Sequence, residues 1–407
     1  MNTEKLFSVI RKNVVDTICP EEEEIYAHMD DTLFRKSGKK VSGVKWMRDP
    51  LGPPFQTNLV LGQRFIQVSL SLFSKMDTVQ TTNIPVSLQH CPCTPKPKKD
   101  SSPEELILFK ELQKKSKLSV IGAQQISALR KSLNEEEYNE KNLVVSVDGS
   151  YTNESVLKAL DEKVVIIGRV RKDCKLHQTP TLTQNGKVGR NRVYGTALPT
   201  PECIRQSDQY EWRDVKAWAT GKIHTFQIKT IDAVRWRKAG GQDMRLVIIR
   251  PIGYRLTKQS KLLYKEPAYL ICTSVKLPVE KLLQAYLWRW GIEVNFRDQK
   301  TLLGCGQAQV RKEIPCSKVP QFVTAVYSML LLASSQAKII DLPRPKWYTK
   351  LKTQRTTTQD LLNQFKAIKW TDSIKINFSD FVMMENKQRS AKNNPIHSLS
   401  SLFYTRN

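Results

Sequence analysis

The period of apolar and polar positions changes several times along the chain, and those changes divide it. Residues 1–18 carry apolar side chains at helical spacing and predict one amphipathic helix. After the acidic run Glu21 to Glu24, the segment IYAHMDDTLF alternates and predicts a strand from Ile25 that ends near Asp30, Asp31 and Thr32. Two further strands are expected over 58–73 and 78–88, giving an antiparallel meander of three. From His90 to Pro103 the periodicity stops, and CPCTPKPKKDSSP reads as an exposed connector. Helices over 103–116, opened by Ser-Pro-Glu-Glu, and over 123–133 follow. LVVSVDGSYTN then predicts a short buried strand ending at Asp148, where Gly149 lets the chain turn. A helix over 154–160 and a strand in VVIIGRVRKD complete a parallel crossover.

Between about Leu176 and Ser274 the pattern turns to β, in runs over 224–237, 244–251 and 268–274, with Gly240-Gly241 supplying a hairpin turn. These runs predict a β-rich insertion. Helical spacing returns in YLWRWGIEVNFRDQK, Tyr286 to Lys300. On one helix, Ala285, Trp288, Ile292, Phe296 and Leu303 form an apolar stripe. Tyr286, Arg289, Glu293 and Lys300 share a polar face within an arc of roughly 60°. A solvated face favours Lys and Glu, whereas this one interleaves Tyr and Arg, which suit a phosphate held near a carboxylate. Further helices are expected over 319–340 and 358–368, and the last 30 residues read as a loosely ordered basic tail.

Charge narrows the function classes. The 407 residues hold 65 Lys and Arg against 39 Asp and Glu, a net charge of +26, which points to a polyanionic partner, nucleic acid first. The longest apolar run, 322–333, is short for a bilayer span, and residues 1–18 lack the apolar core of a signal peptide. A soluble protein of a reducing compartment, with no membrane partner, is expected. The eight cysteines include no CxxC pair or zinc-like Cys/His set and read as structural thiols. Five scattered histidines disfavour a Ser/His/Asp site or a histidine metal cage, so chemistry here must rest on carboxylates.

Carboxylates cleave phosphodiesters by holding two divalent ions, Mg²⁺ or Mn²⁺, one at the attacking and one at the leaving oxygen. Asp30, Asp148 and Glu293 meet the local requirements, the first two at strand ends. Asp31, beside Asp30, and Asp173, closing the next strand, are rivals. Asp30 and Asp31 must point to opposite faces of their strand.

Taken together, MDDT, VDGSYTN and the Y-x2-R-x3-E-x6-K frame from Tyr286 to Lys300 resemble the transposases of the DDE superfamily, specifically the insertion sequence 4 family. The resemblance spans nearly the whole chain. It implies an α/β fold, a ribonuclease H-like mixed sheet flanked by helices and interrupted by a β-rich insertion domain. Asp30 (favoured over Asp31 by Thr32), Asp148 and Glu293 would be the catalytic, metal-binding triad for two Mg²⁺ or Mn²⁺ ions. Tyr286, Arg289 and Lys300 would contact phosphates of double-stranded DNA at the transposon end. Trp236 would stack on a displaced base, with Trp212 and Trp218 as alternatives. Lys36, Lys39, Lys40 and Arg48 after the first strand, and Arg169, Arg171 and Lys172 after the fifth, would neutralise phosphates nearby.

The domains expected on this basis are an end-recognition remnant over 1–24, catalytic core over 25–175 and 276–340, the insertion over 176–275, and a C-terminal helical region with basic tail over 341–407. The function implied is metal-dependent cleavage of the ends of a bacterial insertion sequence and strand transfer into target DNA, by a homodimer on DNA in the cytoplasm. Because family members usually carry about a hundred residues before the first Asp, against 29 here, the competing reading is a truncated, non-catalytic DNA-binding remnant that inhibits full-length transposase.

Overall fold

A computed structural model describes residues 2–17, 23–49, 52–53, 55–73, 80–180, 192–255, 259–336 and 357–377. Helix α1 (Thr3–Thr17) buries Phe7, Ile10, Val14 and Val15, the helical period that the sequence predicts. The meander follows as β1 (Glu24–Arg35), a short β2 (Lys45–Arg48), β3 (Leu59–Phe73) and β4 (Thr81–His90). Two helices come next, α2 (Pro103–Lys115), opened by a Ser102–Glu105 capping box, and α3 (Leu118–Glu135). The crossover is β5 (Asn142–Val147), α4 (Glu154–Leu157) and β6 (Val164–Arg169).

The β-rich segment contributes β7 (His177–Gln178), α5 (Pro201–Gln206), β8 (Arg213–Ala219), β9 (Lys222–Arg235), β10 (Met244–Ile249), β11 (Gly253–Tyr254), β12 (Leu263–Tyr264) and β13 (Ala268–Cys272). Gly240 and Gly241 take left-handed φ of 73° and 87° in the β9–β10 connection, as the turn requires. Four helices close the described chain: α6 (Val279–Trp288), α7 (Trp290–Thr301), α8 (Glu313–Gln336) and α9 (Thr358–Asn377). The chain splits into two compact units, Met1–Ala325 and Val326–Asn407, so α1 belongs with the sheet rather than with a separate region.

One mixed sheet of eleven strands organises the first unit, in the order β2-β3-β1-β5-β6-β13-β10-β9-β7, with β4 on β3 and β8 on β9. Parallel pairing is confined to β1–β5 and β5–β6. The strands of the expected β-rich insertion join the same sheet: β13 pairs antiparallel with β6 and β10 with β13. Residues such as Leu246, Val247 and Ile248 are fully buried, which lets these strands share the core.

Helices cover both faces. On one, Met29 of β1 and Tyr151 crowd Gly122 of α3. On the other, Tyr26 packs edge-on against Trp288 with ring centroids 5.2 Å apart, and Ser146 donates to the Ala285 carbonyl at 3.1 Å. Ala285, Trp288, Ile292 and Phe296 are buried as the apolar stripe predicts. The single helix expected over Tyr286 to Lys300 is two helices meeting at Arg289. Helix α8 is long and apolar enough to cross a membrane by length and composition, and 44% of its apolar window is buried in the protein. The basic tail and the ends of the strand expected from 78 and of the helix expected to 340 lie outside the described residues.

Candidate active site

Asp30 does not close a strand, as the alternation suggests; β1 runs five residues beyond it to Arg35. Its position is fixed by the sheet. Met29 pairs with Val147 across the parallel β1–β5 ladder, so the next residues, Asp30 within β1 and Asp148 just past the end of β5, stand level. Their side chains leave on the face covered by α6 and α7. Asp31 points the other way, where it accepts a hydrogen bond from the Tyr151 hydroxyl at 2.9 Å and pairs with Arg64 at 3.4 Å. Asp173 lies past the end of β6 in an exposed ion pair with Arg171. Neither rival faces the group described next.

Arg289 joins the three elements. Its Nη1 donates to Asp30 Oδ2 at 2.9 Å and its Nη2 to Glu293 Oε1 at 3.2 Å. Burial opposes the guanidinium charge, but Tyr286, Asp30, Glu293 and Asp148 outweigh it and raise its pKa. Burial pushes the Asp30 carboxyl up to about 6, with Arg289 pulling down and Asp31 and Asp148 pushing up. The Tyr286 phenol is likewise raised by burial, and its ring lies 5.9 Å from the Arg289 guanidinium. Arg169 is near enough to act on it electrostatically. Below, His28 Nε2 meets Ser71 Oγ at 2.8 Å, and burial together with Arg289 lowers its pKa to about 3, so the ring is neutral.

Hard oxygen donors at neighbouring positions of a rigid sheet, with the Asp30 carboxyl raised by burial, suit a divalent cation. As folded, however, no three His, Cys, Asp or Glu side chains among the described residues are gathered tightly enough to hold an ion. The Arg289 guanidinium is the cation between Asp30 and Glu293. The Asp30 and Asp148 carboxyls are of the type that would hold a metal, while one oxygen of Glu293 is engaged by Arg289.

A family model described as DDE superfamily endonuclease matches residues 3–241, more than half of the chain. The chain belongs to the DDE superfamily of endonucleases. The match includes Asp30 and Asp148 and stops before Glu293. None of the curated proteins matches the chain. Membership makes this a transposase-type nuclease with DNA as its substrate, and divalent metals are typical of the superfamily.

In this DDE endonuclease the remaining expected contacts divide. Lys300 does not join the acidic group; its ammonium lies 5.8 Å from the Phe34 ring and 5.9 Å from Phe296, and burial lowers its pKa. Lys36 is tied to the Gly306 and Ala308 carbonyls instead of projecting. Lys39, Lys40, Arg48, Arg169 and Arg171 are exposed. Trp236 is only 9% exposed, with the Lys238 ammonium 5.2 Å from its ring, so it is a wall residue and not a projecting wedge. Trp212 is half-buried between Lys229 and Arg250, and Trp218 exchanges backbone hydrogen bonds with Gln284.

The structure gathers Arg169, Lys172 and Trp236, expected above, and adds Arg205, Lys238 and Trp290. A cleft of about 1040 Å³ opens beside Gly149, and Arg169, Lys172, Arg205, Trp236 and Lys238 line it. Trp290, three residues before Glu293, is 64% exposed. Its place in RWGIE, inside a motif already read as phosphate-binding, was the available signal.

Proposed function

We propose that the protein is a DNA transposase of the insertion sequence 4 type, in which Asp30, Asp148 and Glu293 hold two Mg²⁺ or Mn²⁺ ions at the transposon end. The observation that carries this is the level placement of Asp30 and Asp148 across the parallel β1–β5 pair, with Arg289 linking Asp30 to Glu293. The strand order β4-β3-β1-β5-β6 supports a ribonuclease H-like core. Bound there, the ions would supply an activated attacking oxygen and a stabilised leaving oxygen.

The chain's own residues do the rest. A DNA phosphate competes for the Arg289 guanidinium, which binds phosphate bidentately as readily as carboxylate. Its departure frees Glu293, so DNA engagement completes the ligand set. Tyr286 and Arg169 flank the same phosphate, and the basic cleft beyond Gly149 takes the adjoining backbone without reading sequence. Water attacks first and the freed 3′ hydroxyl second, with no covalent intermediate on the protein.

Incubation with end-containing DNA and Mn²⁺ tests the reading. Nicking and strand transfer are expected in the parent and are lost in Asp148→Ala and Glu293→Ala; variants that nick as well as the parent would refute the triad. DNA binding without nicking in the parent would favour the non-catalytic remnant.

A further inference from the structure

Gly291 is the second residue of α7, directly after the α6–α7 break, and a side chain there would collide with a neighbour. The neighbour is Asn83 of β4. A Cβ on residue 291 would stand 2.5 Å from Asn83 Nδ2 and 2.7 Å from its Cγ. The absence of that Cβ lets the Asn83 side chain lie against the helix backbone, and Asn83 is itself 4% exposed.

Its hydrogen bonds fall on both sides of the site. Asn83 Nδ2 donates to the Trp288 carbonyl at 2.9 Å, and the Asn83 carbonyl accepts from Asn295 Nδ2 at 2.9 Å. In a continuous helix the Trp288 carbonyl would take the amide of Ile292, but that amide bonds Arg289 O at 3.0 Å. The Asn83 amide reaches the Trp288 carbonyl where α6 gives way to α7. Ser71 Oγ donates to Asn83 Oδ1 at 3.3 Å and holds the amide in that orientation.

We infer that Asn83 is a positioning residue: by gripping Trp288 and Asn295 it sets the α6–α7 break, and so the placement of Glu293 and Arg289 against Asp30. The assignment rests on the metal-ligand reading proposed above. The polar side chain of Asn83 in the strand segment TTNIPVSL meets the helix junction.

Mn²⁺ binding to the full chain with pre-cleaved end DNA bound, so that Glu293 is free to ligate, followed by calorimetric titration, tests it alongside the thermal midpoint. Asn83→Ala is expected to weaken binding about tenfold, the lower end for groups that support metal ligands. Gly291→Ala meets the same contact from the helix side and should weaken it similarly; the double variant should bind no worse than Gly291→Ala alone, because one contact is lost only once. Should Asn83→Ala fail to fold, Asn83→Ser and Gly291→Ala give the same reading. A purely structural role would lower the midpoint and leave affinity unchanged, and that result, or an additive double variant, overturns the assignment. Glu293→Gln is the control. If it binds Mn²⁺ as the parent does, the metal reading fails and takes the assignment with it; if it loses binding while Asn83→Ala does not, only the assignment fails.

Discussion

Asp30 and Arg289, 259 residues apart in sequence, form an ion pair at 2.9 Å with both side chains mostly buried, at 19% and 14% exposure. The pair closes the central sheet onto the α6–α7 junction. Removing the guanidinium leaves Asp30 buried beside Asp148 with its main counter-charge gone. Arg289→Ala should therefore destabilise the metal-free protein by about 1–3 kcal/mol at neutral pH. The loss should shrink near pH 5, where Asp30 takes up a proton and needs no partner. Urea titrations at the two pH values check this; an equal loss at both would mean that the pair does not carry the effect.

The Asp30 carboxyl, raised mainly by burial to about 6, makes a second pH effect. An acid whose folded pKa lies above its unfolded value holds its proton more tightly in the native state. Stability from this group is then greatest below the unfolded pKa and falls as pH rises through about 6. Asp30→Asn removes the slope, so the variant should match the parent near pH 4 and exceed it above pH 7 in metal-free buffer. Saturating Mn²⁺, which the variant would not bind at this position, should reverse the order at the higher pH. Parallel midpoints that never diverge would place Asp30 in solvent.

The meander, the crossover and the helical apolar stripe were legible because each depends on a local period. Asp30 could not be placed within its strand, since alternation does not mark where a strand ends. Polarity misleads where both faces are covered. In β3, Gln63, Gln67, Ser69 and Ser71 alternate with apolar residues as on a half-solvated strand, yet all are buried. Gln67 accepts from Gln299 at 2.9 Å, and Ser69 and Asn83 meet Asn295, so the polar face of β3 packs on the polar side of α7. The same blindness hid the role of Arg289: spacing placed it on one face with Glu293, but only the fold brings Asp30 to it. It also left Lys300 grouped with residues from which Phe34 and Phe296 separate it.

Two tryptophans in the basic region should behave oppositely. Trp236 is buried in the cleft wall, so Trp236→Ala should cost about 3–5 kcal/mol of stability, whereas Trp236→Phe should keep most of it. Trp290 projects into solvent beside Arg289, and Trp290→Ala should leave stability within about 0.5 kcal/mol. If Trp290 stacks on a base, its removal weakens binding to end DNA by about 1–3 kcal/mol. Denaturation and filter binding on the same preparations separate the two. Unchanged DNA affinity in Trp290→Ala would exclude stacking there.

Salt dependence separates lysines and arginines that meet phosphate from those that hold the fold. Each phosphate contact contributes about −0.9 to the slope of log affinity against log salt on duplex DNA. Arg169 is exposed beside Tyr286, and Lys238 is exposed over Trp236 in the same cleft. The double variant Arg169→Ala/Lys238→Ala should flatten the slope by about 2 and weaken end and random DNA alike, because phosphate contacts carry no sequence information. Lys36 is the contrast: its ammonium is spent on the Gly306 and Ala308 carbonyls, and burial already lowers its pKa. Lys36→Met should lower the thermal midpoint and leave the salt slope unchanged. A flattened slope in Lys36→Met, or an unchanged one in the double variant, would move the DNA path away from the cleft beside Gly149 and toward the loop that follows β1.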